Sequence, residues 1–406
     1  MMQAVFLVGG LGTRLGEATR NKPKPLLPVG GRPFLDYLIE DVARHGIKDC
    51  LFLAQFEADQ IREYCDTSPL RPRFGLSMNV STEPPGAGTG GAVWHAQDKL
   101  AERFLLLNGD SWINGNYLEL FRLLQQPGTE GAIALRGVED AGRYGRVALD
   151  GDLAVAFTEK DATFAGAGDI NAGVYAFRRE ILSRLAPDCS LERDVLPRLA
   201  SERRLRATKF DGYFIDIGVP DSLSEAERSF ADHFRRPAIF FDRDGVLNRD
   251  HGHVGSVDRF EWMPGAIDAI KMANDHGYLT FVVTNQAGVA KGFYDEAAVG
   301  SLHAHMQTEL SGQGAHIDAF RYCPFHVDGV VPEYARESRH RKPEPGMILD
   351  LAAEWSVDME RSLLIGDKAS DLEAASRAGL PAQLYDGTEA LDRWIKRTGL
   401  IPQSPL

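Results

Sequence analysis

Short, continuous apolar runs alternate along the chain with stretches whose apolar residues recur every three or four positions. VFLV at Val5 to Val8 is followed by FLDYLIEDVARHG from Phe34, then by LFLA at Leu51 and a second helical pattern from Asp59. An unbroken apolar run suits a strand covered on both faces, and the 3.6-residue period suits a helix lying against it. The alternation therefore predicts an α/β fold built on a parallel sheet. It continues to the helical segment Asp221 to Phe234, where Arg235-Arg236-Pro237 interrupts it. A new apolar run, AIFFD from Ala238, restarts the pattern, followed by YLTFVVTN from Tyr278, a helix from Asp295, SLLIGD from Ser362 and a helix from Ala369. Two α/β domains are expected, residues 1–234 and 235–406, the first Rossmann-like and the second Rossmannoid. No fixed-period repeat and no low-complexity tract interrupts either.

Composition narrows the function classes. A chain of 406 residues with 44% hydrophobic and 25% charged residues has material for two cores, at about 150 residues per domain. With 45 basic against 58 acidic residues, net −13, it repels a nucleic-acid backbone. No apolar run reaches the roughly 18 residues of a spanning helix, and the apolar stretch of the opening MMQAVFLVGG is too short for a signal peptide. A cytoplasmic protein with no membrane or nucleic-acid partner is expected. Cys50, Cys65, Cys189 and Cys323 are widely spaced without a CxxC pair, which suits reduced thiols.

Chemistry enters directly after the first strand. Gly9, Gly10 and Gly12 let backbone N–H groups approach phosphate oxygens, while Arg14, after Thr13, and Lys24 supply charge against a triphosphate. The full strings GGLGTRL and KPKPLLPV resemble the signature of the sugar-phosphate nucleotidylyltransferases, and the resemblance extends over about 230 residues. It implies that Glu83 to Ala92, including Gly88 and Thr89, forms the nucleobase loop. It places a magnesium-binding aspartate at Asp110 and a second metal carboxylate at Asp216. Lys160, in Glu159-Lys160, and Asn171 and Gly173, in Asn171-Ala172-Gly173, are implied for the sugar phosphate. The chemistry agrees: attacking phosphate and leaving pyrophosphate are both anionic, and Mg²⁺ between Asp110 and Asp216 screens that repulsion without a covalent nucleophile. The Glu83 carboxylate suits the N1–H and N2–H₂ donors of guanine, although uracil or thymine N3–H also fits. Wording such as SLERDVLP and FDGYFIDIGVP is similar to heptose 1-phosphate guanylyltransferases, which implies GTP.

In the second half, AIFF runs into Asp242-Arg243-Asp244-Gly245-Val246. Asp242 is placed to attack phosphorus, and Asp244 to protonate the leaving alkoxide and later assist water. Thr284 follows a further apolar strand, Arg341-Lys342-Pro343 supplies positive charge, and Asp367, Lys368 and Asp371 follow the strand LLIG. This order resembles the haloacid dehalogenase superfamily. Within it, FFDRDGVLNRDHGHV, VVTNQAGVAKG, RKPEPGM and IGDKASD are similar to heptose-1,7-bisphosphate phosphatases, with histidinol-phosphate phosphatases as the neighbouring alternative. The resemblance implies a magnesium set of Asp242, Asp244 (through its backbone carbonyl) and Asp367. It assigns Thr284, Asn285, Gln286 and Lys342 to substrate phosphate, puts Lys368 beside the metal carboxylate, and turns Asp250, His251, Gly252, His253 and Arg341 toward the sugar.

That family often carries a zinc loop of Cys-x-His and Cys-x-Cys before RKP. Here Ser338 and His340 stand where thiolates are expected, and Phe325 shifts the histidine spacing. Cys323, His326 and His340 are chemically suited to zinc, but a loop folded without metal is the expectation. The joined halves imply consecutive steps on heptose phosphates, with Mg²⁺ in both domains and GTP and heptose phosphates as ligands: 7-phosphate removal, then transfer of GMP to the 1-phosphate. The guanylyl resemblance implies the α-anomer. The alternatives are a transferase for another sugar 1-phosphate using UTP, dTTP or ATP fused to a general or histidinol-phosphate-like phosphatase, and a regulatory protein with degenerate sites. The second is disfavoured because Arg14, Lys24, Asp110, Asp216, Asp242, Asp244, Lys342 and Asp367 are all in place.

Overall fold

The structure, a computed structural model, describes residues 2–142, 144–158 and 163–402. The chain divides into two compact α/β units, Met1–His233 and Phe234–Leu406, with the break at the end of the helix Pro220–Phe234.

The first unit is built on a nine-stranded sheet. Its strands are β1 (Met2–Leu7), β2 (Asp49–Ala54), β3 (Ser77–Thr82), β4 (Arg103–Asn108), β5 (Gly131–Val138), β6 (Arg146–Asp150), β7 (Leu153–Thr158), β8 (Gly168–Arg178) and β9 (Leu205–Lys209). They lie in the order β3-β2-β1-β4-β8-β5-β9-β7-β6. The first four are parallel, and β8 is antiparallel to both β4 and β5, so the sheet is mixed beyond the Rossmann-like half. The apolar run from Val5 is explained by its neighbours: Val5 lies between Leu51 on one side and Leu106 on the other, and it is fully buried. The register of β8 against β5 shifts between Asn171 and Tyr175, a bulge of the kind that re-aims side chains beside a site.

The second unit has a five-stranded, wholly parallel sheet: β10 (Ala238–Phe241), β11 (Leu279–Asn285), β12 (Ala319–Cys323), β13 (Leu363–Gly366) and β14 (Ala382–Leu384), in the order β12-β11-β10-β13-β14. Its long helix Glu296–Gly312 starts where the sequence pattern puts it, because the Asp295 carboxylate accepts the Ala298 N–H at 2.8 Å, a cap that contributes about 1 kcal/mol. Helix Ala369–Arg377 begins with a capping box in which the Asp371 carboxylate accepts the Lys368 N–H at 3.0 Å.

In both sheets the order reverses at one central strand, β1 or β10, whose neighbours continue to opposite sides. Ligands of open α/β sheets bind outside the carboxyl end of such a strand. Gly9 and Asp242 follow these two ends in sequence. All four cysteines are buried, free thiols, and among the described residues no helix is long and apolar enough to cross a membrane.

Candidate active sites

Beyond β1 lies a cavity of about 480 Å³. Its lining brings together Gly9, Gly10, Gly12, Thr13, Arg14, Lys24, Glu83, Gly88, Thr89 and Asp110. Gly9 permits this closeness: a Cβ there would run into Oε1 of Glu83. Glu83 ends the β3 edge, where its N–H bonds Ala54 O at 3.0 Å, and its Oε2 is buried without a hydrogen-bond partner. Burial pushes its carboxyl up to about 7, the state of an acceptor that lacks donors. The loop after it is fastened from beneath. Gly90 N–H and Gly91 N–H both bond Cys189 O at 3.0 Å, and Thr89 Oγ1 accepts Leu191 N–H at 2.9 Å while donating to Glu192 at 2.7 Å. Glu192 sits in a π-helical turn, Leu191–Val195, where Leu196 N–H reaches back to Leu191 O. Pro197, which has no N–H to continue the usual ladder, accounts for the widened turn.

Lys24, 9% exposed, donates to Asp110 at 2.5 Å. Asp216 stands opposite Ser111 in a short ladder, and Ile217 N–H bonds Asp110 O at 2.9 Å, so the two aspartates are neighbours. Burial and then the charge of Asp110 hold the Asp216 carboxyl above its usual range. Two adjacent hard-oxygen donors with this mutual repulsion suit Mg²⁺. Asn171 donates to Tyr175 Oη at 2.6 Å and accepts Gly173 N–H at 3.0 Å. Asn171, Gly173 and Asp216 lie outside the lining of the nucleotide-sized cavity. Glu159 and Lys160 lie outside the described residues. Gln55 lines the cavity without any motif having marked it, and Asn108 joins it from the Asn108-Gly109-Asp110 string that places Asp110 at the end of β4.

Beyond β10 a second cavity, about 460 Å³, is lined by Asp242, Asp244, Asp250, Gly252, His253, Thr284, Asn285, Arg341, Lys342 and Lys368. Asp242 and Lys342 are buried, with Lys342 Nζ at 2.7 Å from Asp242, 2.6 Å from Asp371 and 2.8 Å from Val283 O. Asn285 fixes Lys342 by a reciprocal pair, its amide donating to Lys342 O and accepting Lys342 N–H, both at 3.0 Å. Burial raises the Asp242 carboxyl and Lys342 opposes that rise. Lys342 itself is held above its ordinary value by Asp242 and Asp371, which outweigh its burial, so the ammonium is the firmly charged partner.

Carboxylate oxygens of Asp242, Asp367 and Asp371 lie within 4.8 Å of one another, and Asp367 Oδ1 is buried without a hydrogen-bond partner. Oxygen-only donors with an orphaned acceptor fit Mg²⁺. Gly245, at φ 96°, leaves the space that Asp367 Oδ2 occupies. Asp371, which the sequence reading kept out of its magnesium set, thus belongs to this cluster. The Asp244 carboxylate is turned elsewhere: it receives Arg243 Nη2 at 2.9 Å, Asn248 at 3.0 Å and Gln286 at 2.8 Å.

Two expected substrate contacts stand apart. Gln286, 1% exposed, bonds Asp244 and Thr284 behind the cavity wall. His251 is exposed, faces Glu261 at 3.6 Å, and lines a neighbouring cavity with Asp250 and Asp367. The candidate zinc residues do not converge. His340 pairs with Asp350 at 2.8 Å, His326 Nδ1 accepts Asp328 N–H at 3.1 Å, and the Cys323 thiol faces Phe325 O at 3.8 Å. The loop is held instead by Glu296, which accepts Tyr322 Oη at 2.6 Å and Tyr334 Oη at 2.8 Å, and by Arg336 over Phe325. Lys291, Tyr294 and Ser370 also line the cavity. Lys291 follows TNQAG by a few residues, and its positive charge was the available signal.

Both sites are phosphoryl-chemistry sites: glycines and cations around one cavity, buried carboxylates around the other. The comparisons with known proteins agree. Residues 3–233 match the nucleotidyl transferase family model, and residues 340–397 match the HAD-hydrolase-like model. The chain belongs to the nucleotidyl transferase family through its first unit and to the haloacid dehalogenase-like phosphatases through its second, so it carries two catalytic domains. It is 52% identical over 163 residues, 40% of this chain and 90% of the relative, to D-glycero-beta-D-manno-heptose-1,7-bisphosphate 7-phosphatase of Rhodopseudomonas palustris. It is 43% identical over 147 residues, 36% of this chain and 78% of the relative, to the alpha-anomer 7-phosphatase of Burkholderia mallei. The crystal structure of HddC from Yersinia pseudotuberculosis, complexed with GMP-PN, covers 57% of this chain and 100% of its own, with 29% identity and a TM-score of 0.50.

Proposed function

We propose that the second unit removes the 7-phosphate of D-glycero-D-manno-heptose 1,7-bisphosphate and that the first transfers GMP from GTP to the resulting 1-phosphate, giving GDP-heptose and pyrophosphate. The observation that carries this reading is the pairing in one chain of the Asp242–Lys342–Asp371 cluster with a glycine-lined cavity ending in an unpartnered Glu83.

In the phosphatase, Asp242 attacks the 7-phosphorus while Lys342, fixed by Asn285, and Thr284 hold the phosphoryl oxygens. The aspartyl phosphate forms as the phosphorus–oxygen bond to the sugar breaks, and Asp244 gives its proton to the departing alkoxide. Water, its proton taken by Asp244, then cleaves the aspartyl phosphate. Asp242, Asp367 and the backbone of Asp244 would hold Mg²⁺, with Asp371 behind them; the ion would neutralise phosphate charge. In the transferase, backbone N–H groups of Gly9 to Gly12 with Arg14 cradle the triphosphate, and Lys24 meets charge at the α-phosphate. Asp110 and Asp216 would hold its Mg²⁺. Glu83 accepts guanine N1–H and N2–H₂, and Asn171 and Gly173 meet the sugar.

The relatives include phosphatases named for either anomer, and the α-anomer is proposed because the guanylyl branch implies it. The test is to incubate the full chain with Mg²⁺, GTP and each anomer separately, following products by mass spectrometry and phosphorus NMR. GDP-heptose from the α-bisphosphate supports the reading. Orthophosphate without any nucleotide-sugar reopens the nucleotide, and a nucleotide-sugar formed only from the β-anomer rejects the anomer.

A further inference from the structure

One polar side chain of the nucleotide cavity, Gln55, has no part in the chemistry proposed above. Strands β2 and β3 run parallel with Ala54 opposite Thr82, and Glu83 N–H bonds Ala54 O at 3.0 Å. The residues that follow, Gln55 and Glu83, therefore stand side by side at the strand spacing of about 4.8 Å. Both border Gly9, where a Cβ would run into Glu83 Oε1 and lie 3.1 Å from Gln55 Cβ. With no side chain at Gly9, the carboxylate and the carboxamide line one open space.

The backbone on either side of Gln55 is fixed. Val8 N–H bonds Leu53 O at 2.9 Å and Phe56 N–H bonds Gly9 O at 3.4 Å, which ties the end of β2 to the glycine loop. The Gln55 side chain is half-buried, and its amide makes no hydrogen bond among the described residues. Glu83 Oε2 is likewise buried without a partner. A carboxamide nitrogen donates and an ionised carboxylate only accepts, so the pair offers a ligand one donor beside two acceptor oxygens.

We propose that Gln55 is a base-specificity residue whose amide N–H donates to guanine O6 while Glu83 accepts N1–H and N2–H₂. The inference rests on the GTP reading above and adds the bond that completes it. Guanine presents an acceptor, a donor and a second donor along this edge, and adenine presents its N6–H₂ donor where guanine has O6. Uracil and thymine meet the pair through O4 and N3–H, but their O2 then faces the second carboxylate oxygen. Three matched bonds with no opposed acceptors are available to guanine alone among these bases.

The test measures pyrophosphate release by the full chain with Mg²⁺ and heptose 1-phosphate, using GTP, 6-thio-GTP, in which sulfur replaces O6, and ITP, which lacks the N2 amine. Wild type should prefer GTP over 6-thio-GTP by about 10-fold in kcat/KM, mostly through KM, because sulfur is the weaker acceptor. Q55L should erase that preference while keeping the preference for GTP over ITP, which belongs to Glu83. Q55E preserves the shape but sets a carboxylate against O6, and should lower kcat/KM for GTP by about 100-fold. A wild-type preference over 6-thio-GTP that survives in Q55L, or a Q55L enzyme that loses the ITP preference as well, overturns the role of Gln55. A wild-type enzyme that uses UTP, dTTP or ATP better than GTP sinks the GTP reading itself, a result distinct from failure of Gln55.

Discussion

The two cavities are nearly equal, about 480 and 460 Å³, yet they are made differently. The first is walled by glycine backbone and carries its cations near the glycine loop, with Arg14 exposed. The second encloses charge on both sides, with Lys342 buried between two carboxylates. A transferase whose attacking group and leaving group both come from substrates needs positioning and charge screening, and backbone donors supply these at short range. A phosphatase that makes a covalent bond to its own aspartate must bury that nucleophile, and burial demands a fixed counter-charge. The difference teaches that the glycine-walled site should depend on loop geometry, and the other on individual charges.

The comparison is broken most directly at its charged end. Asp242→Asn should lower phosphate release by at least about 10⁴-fold, measured by orthophosphate appearance, while nucleotidyl transfer from a supplied heptose 1-phosphate continues. A smaller loss would mean that Asp242 is not the nucleophile. At the other site, Lys24→Met should lower pyrophosphate release by about 10²- to 10³-fold, with phosphatase turnover retained.

The third prediction sharpens the contrast through pH. The Glu83 carboxyl sits near 7 because of burial, and the contact to guanine proposed above needs its ionised form. GTP affinity should therefore be full above about pH 7 and fall up to about tenfold per unit below it, whereas Glu83→Gln should give a flatter and weaker profile. Titration of GTP by calorimetry between pH 5.5 and 8 reads this, and an unchanged wild-type affinity at low pH removes Glu83 from base recognition. The smallest effect concerns the loop between Cys323 and His340. Glu296→Ala leaves Tyr322 and Tyr334 without their shared acceptor and should cost about 1–2 kcal/mol, a drop of a few degrees in Tm; no drop would mean the pair does not stabilise the loop.

Much of this was legible in the sequence, for identifiable reasons. Apolar runs such as VFLV and AIFF announce central parallel strands, since both faces are covered, and the residues that follow such a strand are the site by topology alone. Glycine spacing and the DxD pair could be read because their chemistry is local. What stayed hidden depends on fold-level proximity. Gln55 reaches the nucleotide cavity because β2 neighbours β1, and Gln286, read as a substrate contact, turns inward because Asp244 and Arg243 recruit it. Lys291 and Arg341 are far apart in sequence, and only the fold brings them to one cavity. The mixed half of the first sheet was also unseen, because antiparallel β8 has the same apolar pattern as a parallel strand.

The central claim is that the two units act in order on one substrate. The decisive measurement is pyrophosphate release by Asp242→Asn full chain with Mg²⁺ and GTP, supplied first with heptose 1,7-bisphosphate and then with heptose 1-phosphate. The account predicts no release from the bisphosphate and wild-type release from the monophosphate. Equal pyrophosphate release from both substrates would show that the transferase does not wait for the phosphatase, and would contradict the order proposed.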